Sequence, residues 1–216
     1  RAAGGAELTR PRATHVMDGT PKILPATALT SAEDLVQAGL ADASAVDDLA
    51  RVAETFRIRV TPVMQQHGHG IARQFVPDTR EMLTRPEELA DPIGDAAHSP
   101  VPGLTHRYPD RAILHITQTC DVYCRFCFRR EVVGAAGPLP AKQLDAALDY
   151  IAATPALREI ILTGGDPMTL SPRRLDAVLT RLDAIPHLDV IRLHSRVPVV
   201  APDRIAGLAP LLRRRA

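Results

Sequence analysis

At 216 residues, with 45% hydrophobic and 24% charged, the chain has material for an ordinary globular core; with 3% aromatic residues and no Trp, that core must rest on Leu, Ile, Val and Ala. A formal net charge of +1 gives no reason to expect a nucleic acid or an anionic membrane surface as a partner. No apolar stretch is long enough to span a bilayer, and no basic start followed by an apolar run suggests a signal peptide.

Residues 1–28 lack periodicity, carry scattered Pro and Gly, and read as a loosely ordered leader. An N-terminal helical and irregular extension, 29–106, should follow. Thr30 with Glu33 resembles a capping box and predicts a short helix to about Gly39. A second helix should start near Ser44, with Val46, Leu49, Val52 and Phe56 on one face. From 57 to 106 the prolines at 62, 77, 86, 92, 100 and 102 predict short helices and extended connections. His67 and His69, in HGHG, fit a polar Gly-rich turn better than a metal site.

The texture changes at Arg111. AILHIT reads as a buried strand, and a helix should follow Pro140 with Leu144, Ala147, Leu148 and Ile151 on one stripe. EIILTGG is the next strand. Ser171 and Pro172 form an N-cap and first-turn pair opening a helix whose stripe is Leu175, Val178, Leu179 and Leu182. VIRLHSR is a third strand, and Pro202 opens a third helix through Ile205, Leu208 and Leu212. This order predicts an α/β fold over 107–216, with parallel strands buried on both faces and crossover helices. The polar motifs all fall where strands end, and in such sheets the carboxyl ends of the strands carry the site. The chain does not begin with Met and stops at LLRRRA within an expected helix, so it reads as a piece of a longer protein. Arg213, Arg214 and Arg215 should be a solvated helix end.

Cys120, Cys124 and Cys127 are the only cysteines, spaced C-x3-C-x2-C. An odd number of close neighbours makes a poor disulfide framework, and free thiolates fit a reducing compartment, so a cytoplasmic protein is expected. Three thiolates can hold three irons of a four-iron cluster and leave the fourth open. The alternative is a zinc site of three Cys and one His, with His115 on the preceding strand. Gly164 and Gly165 would let backbone approach a ligand closely, since no Cβ intervenes. His194 either contacts a ligand or is structural.

HRYPDR, CDVYCRFC, TGGDP and HSRVPVV together resemble the radical S-adenosylmethionine (SAM) enzymes, and within them the lysine 2,3-aminomutase family, over about residues 30–216. The resemblance implies a partial (half) TIM-type βα barrel lacking its C-terminal part. It implies a [4Fe-4S] cluster on Cys120, Cys124 and Cys127, whose open iron binds SAM. SAM contacts would come from Phe126, Gly164, Gly165 and Asp166. Arg129 would take the substrate carboxylate with its forked guanidinium. Arg107 and Arg111 match positions for the phosphate of pyridoxal phosphate (PLP), although they equally suit ion pairs with Asp110; Ser195 and Arg196 are further candidates for contact with that phosphate or with SAM.

The implied activity is a radical 1,2-amino shift interconverting L-lysine and β-lysine. A flavodoxin- or ferredoxin-type electron donor and a homo-oligomer are implied as partners. The pattern departs in two respects. PLP needs a lysine, and the chain's two, Lys22 and Lys142, lie in the leader and on the outer face of a helix. Phe128 also differs from the small polar residue frequent in lysine-acting members. Alternatives are a glutamate 2,3-aminomutase, a relative modifying a lysine of elongation factor P, a radical SAM enzyme without PLP, and a non-catalytic zinc-binding module.

Overall fold

The computed structural model describes residues 27–66, 70 and 72–213. Most of the predicted leader, with Lys22, lies outside them, as do His67, His69, Arg214 and Arg215.

The N-terminal extension is built on short helices. Helix α1 (Ala32–Gln37) is capped one residue later than expected, by Ser31. Ser31 Oγ accepts from Asp34 N at 3.1 Å, and the Asp34 carboxylate accepts from Ser31 N and Thr30 N at 3.1 and 2.8 Å. The Ser31/Asp34 pair has the same three-residue spacing as Thr30/Glu33, so sequence spacing alone could not choose between them. Gly39 follows with φ +69°, the left-handed turn that ends the helix. A 3₁₀ turn over Ala43–Ala45 leads into α2 (Val46–Thr55), which buries Leu49 and Val52. Leu49 joins Leu29, Leu35, Ile58, Val60, Met64 and Phe75 in one apolar cluster. Helix α3 (Pro62–Gln65) and 3₁₀ turns at Thr79–Met82 and Ala96–His98 supply the expected short connections.

A four-stranded mixed sheet follows, in the order β1-β2-β3-β4. Strand β1 (Leu104–Tyr108) was not anticipated; it runs antiparallel to β2 (Arg111–Thr117), with Leu104 opposite Leu114. HRYPDR is therefore a hairpin corner. Strands β3 (Glu159–Gly164) and β4 (Val190–Leu193) continue in parallel, with Leu114 beside Leu162 and Leu162 beside Leu193. Helix α4 (Ala141–Ala152) connects β2 to β3, and α5 (Pro172–Asp183) connects β3 to β4, the latter helix capped by Ser171 with Pro172 in its first turn, as predicted.

The predicted burial of both sheet faces is corrected. Residues alternate: Ala112, Leu114, Ile116, Ile160 and Leu162 are buried against Ala147, Leu148 and Ile151 of α4 and all four predicted apolar residues of α5. Ile113, His115, Ile161 and Thr163, on the opposite face, are only partly buried. Period-2 alternation with helices on one side is the physical cause. Each fully buried Leu in this layer contributes about 2–3 kcal/mol. After β4 the chain makes an unpredicted short helix, α6 (Val197–Val200), then α7 (Asp203–Arg213). Helix α7 buries Leu208 and Leu211, while the predicted Leu212 packs at the edge. Among the described residues no helix is long and apolar enough to cross a membrane.

Candidate functional site

The three parallel strands end on one edge. Cys120 follows β2, Gly165 and Asp166 follow β3, and Ser195 and Arg196 follow β4. The structure thus brings the predicted cysteine, glycine and Ser-Arg motifs together through chain direction alone.

The cysteine loop is clamped from outside the sheet. Val122 sits in the N-terminal apolar cluster, and Cys124 packs against it. Tyr123 N donates to Arg59 O at 3.0 Å, and Arg125 N donates to Gln74 O at 2.8 Å. The Arg125 guanidinium forks onto Glu81 at 3.0 and 2.7 Å and reaches the carbonyls of Phe56 and Arg57. Asp121, 5% exposed, is gripped by Arg204 of α7 at 2.6 and 3.0 Å. The loop is therefore held to two distant segments by buried or half-buried charge pairs.

All three thiols are free and partly buried. Burial pushes the Cys120 thiol up to about 12, with Asp166 and the other two cysteines adding to the effect. Burial also raises Cys124, and the adjacent Arg196 partly offsets it. Arg196 Nη1 donates to Cys124 Sγ at 2.7 Å. Among the described residues no three His, Cys, Asp or Glu side chains form a group suited to a single metal ion. His115, the histidine of the zinc alternative, instead shares a 2.9 Å hydrogen bond with Thr105. Burial lowers His115 to about 4, helped by the charge of Arg129.

The glycines let the backbone of the cysteine loop come close. A Cβ on Gly164, where φ is +113°, would meet Thr117 O at 2.5 Å; one on Gly165 would meet the Gln118 carbonyl carbon at 2.7 Å. Gly165 N and Asp166 N donate to Thr117 O and Thr119 O at 2.6 and 2.8 Å. The space a side chain would fill is occupied by the cysteine loop's own backbone. Asp166, also 5% exposed, accepts from Ser195 Oγ and Met168 N on one oxygen and from Arg196 N and Val197 N on the other. Four donors match a carboxylate's acceptor capacity. Its side chain braces the loop after β4.

Arg129 lies two residues beyond Cys127, its guanidinium over the Phe128 ring at 4.6 Å. Its Nε and Nη2 both donate to Asp95 Oδ2, at 3.1 and 2.7 Å. Arg107 approaches the other Asp95 oxygen at 3.8 Å and donates to Ile93 O. Arg111 stands apart: it begins β2, at the opposite end from the cysteines, over Tyr108 and beside Asp110. Phe126 is 68% exposed at the loop surface.

A family model described as the radical SAM superfamily matches residues 114–213. An L-lysine 2,3-aminomutase of Fusobacterium nucleatum is 39% identical over 82% of this chain and 43% of its own length. One of Bacillus subtilis is 46% identical over 67% of this chain and 31% of its own length. The chain is a radical SAM protein of the lysine 2,3-aminomutase family. A glutamate 2,3-aminomutase of Clostridioides difficile is also similar, 37% identical over 60% of this chain and 31% of its own length. The chain spans roughly two fifths or less of the curated relatives named here.

For a radical SAM protein the donor set fits. Thiolates are the soft ligands of iron–sulfur clusters, and three free thiols stand on one loop with a guanidinium against one sulfur. The residues do not fit PLP in the same way. Lys142, on α4, is exposed, and no other lysine lies among the described residues. Sequence reasoning missed Glu81, Asp95 and Arg204, because each lies far along the chain from its partner: Glu81 and Asp95 in a segment without periodicity, Arg204 on a predicted helix whose pattern marks only its apolar face. The one available signal was the excess of arginines around the cysteines, which required carboxylate partners.

Proposed function

We propose that the protein carrying this chain is an amino-acid 2,3-aminomutase, an isomerase interconverting L-lysine and β-lysine with a [4Fe-4S] cluster, SAM and PLP. The observation that carries this reading is the set of three free thiols on one clamped loop at the carboxyl edge of parallel strands, in a chain of this family. When bound, the cluster and SAM supply an organic radical by one-electron cleavage of a carbon–sulfur bond.

The chain's own residues would then act as follows. Cys120, Cys124 and Cys127 would hold the cluster, giving up their protons on loading. The exposed Phe126 ring would lie along a planar base. The backbone of Gly164, Gly165 and Asp166 would bound the SAM site, while the Asp166 carboxylate keeps the β4 loop in place. Arg129 has used two of its five N–H groups on Asp95, and the rest are available for a substrate carboxylate. Of the four phosphate candidates, Ser195 and Arg196 stand at the cysteine edge, Arg107 near Arg129, and Arg111 at the far end of β2. No step is assigned to PLP from these residues. The sheet would be the first part of a βα barrel, supplied with electrons by a small redox protein.

The test is anaerobic assembly with iron and sulfide, followed by incubation with SAM, PLP, a reductant and L-lysine. About four irons and four sulfides per chain with β-lysine formed supports the proposal. Zinc without sulfide sinks it, and turnover of L-glutamate but not L-lysine moves the substrate to the second reading, which the glutamate-acting relative favours.

A further inference from the structure

Arg196 is held in an unusual setting for a surface-loop arginine. One nitrogen donates to Cys124 Sγ at 2.7 Å, and the other donates to Gln74 Oε1 at 3.1 Å. Its guanidinium lies 5.6 Å from the Phe75 ring centroid and 5.7 Å from that of Phe126, within cation–π range. Its backbone N–H is fixed by Asp166 at 2.7 Å. The strand-end aspartate thus sets the backbone, the N-terminal extension sets the head group, and both aim a permanent positive charge at one sulfur.

We propose that Arg196 sets how readily the cluster is reduced, by donating an N–H···S hydrogen bond to the Cys124 ligand. This rests on the preceding reading that Cys124 is a cluster ligand. Reduction adds one electron and no proton to the cluster. A fixed cation and a hydrogen-bond donor at a ligand sulfur favour the more negative, reduced state. Arg196 is a positioning and tuning residue, and the sequence motif that suggested a phosphate contact acquires a second role in electron entry.

Wild-type protein, R196Q and R196K are loaded anaerobically and poised at the potential where half the wild-type cluster is reduced. The reduced fraction is read by electron paramagnetic resonance. In R196Q the ratio of reduced to oxidised cluster should fall about tenfold, the equivalent of about 59 mV for a one-electron couple. R196K, which keeps the charge, should stay within about threefold of wild type by the same conversion. A loaded R196Q with an unchanged ratio overturns this inference alone. If R196Q takes up no cluster, R196K decides: normal loading and ratio support the role of the charge, and failure to load shows a packing role and overturns it. A wild-type protein without iron and sulfide overturns the family reading, and this one with it.

Discussion

Replacing Arg125 by Ala tests whether the cysteine loop is preformed by its clamp. Arg125 and Glu81 side chains are only 9% and 12% exposed. The substitution deletes both bonds to the carboxylate and those to the Phe56 and Arg57 carbonyls. Removing one partner of a buried pair costs about 3–5 kcal/mol. Glu81 keeps Asp78 N at 2.9 Å and Arg130 at 3.6 Å, so the low end applies, ~3 kcal/mol. For a chain of this size that lowers Tm by about 6–12 °C. E81Q, which keeps an acceptor of the same shape, should lose about half as much. The control is R158A, whose pair with Asp189 is 53% and 55% exposed and should be worth about 0–1 kcal/mol. The assay is urea and thermal unfolding of the cluster-free protein by circular dichroism. R125A no less stable than R158A would refute the clamp.

Cys124→Ala should leave the fold intact while iron and sulfide after anaerobic assembly fall well below about four per chain. Gly165→Ala should cost about 1–3 kcal/mol or more by unfolding, because its Cβ meets backbone that cannot swing away. His115 is lowered from 6.5 to about 4, so the unfolded chain binds its proton first. Its contribution is intact above pH 6.5 and is lost as pH falls toward about 4, by ~3 kcal/mol in total. The urea midpoint should drop over that range, and H115Q should flatten the drop. The Asp78 carboxyl, held near 2 by hydrogen bonds to Arg80, loses its own contribution as pH falls from about 4 toward 2, so the comparison with H115Q separates the histidine from it. Replacing Arg129 by Lys should weaken substrate binding far more than SAM cleavage, checked by substrate-free SAM cleavage against turnover; equal losses would remove its carboxylate role.

The helices and parallel strands of the second half were legible because their apolar residues recur at fixed periods. Leu175, Val178, Leu179 and Leu182 mark a helix face wherever that helix lies. The cysteine spacing was legible because ligands on one loop carry their geometry in the chain. Strand β1 was not: LTHRY alternates too weakly to declare itself, and its antiparallel pairing depends on β2 being there. The choice of Ser31 over Thr30 as cap turned on one residue of register.

Local periodicity and ligand spacing, interactions between neighbours in the chain, were enough to give the α/β class and the cysteine loop. Only tertiary structure decided what Gly165, Asp166, Arg125 and Arg196 do. Their long-range partners lie between 29 and 122 residues away, and long-range packing, which no local pattern encodes, turned two glycines into a seat for backbone and a phosphate candidate into the neighbour of a sulfur.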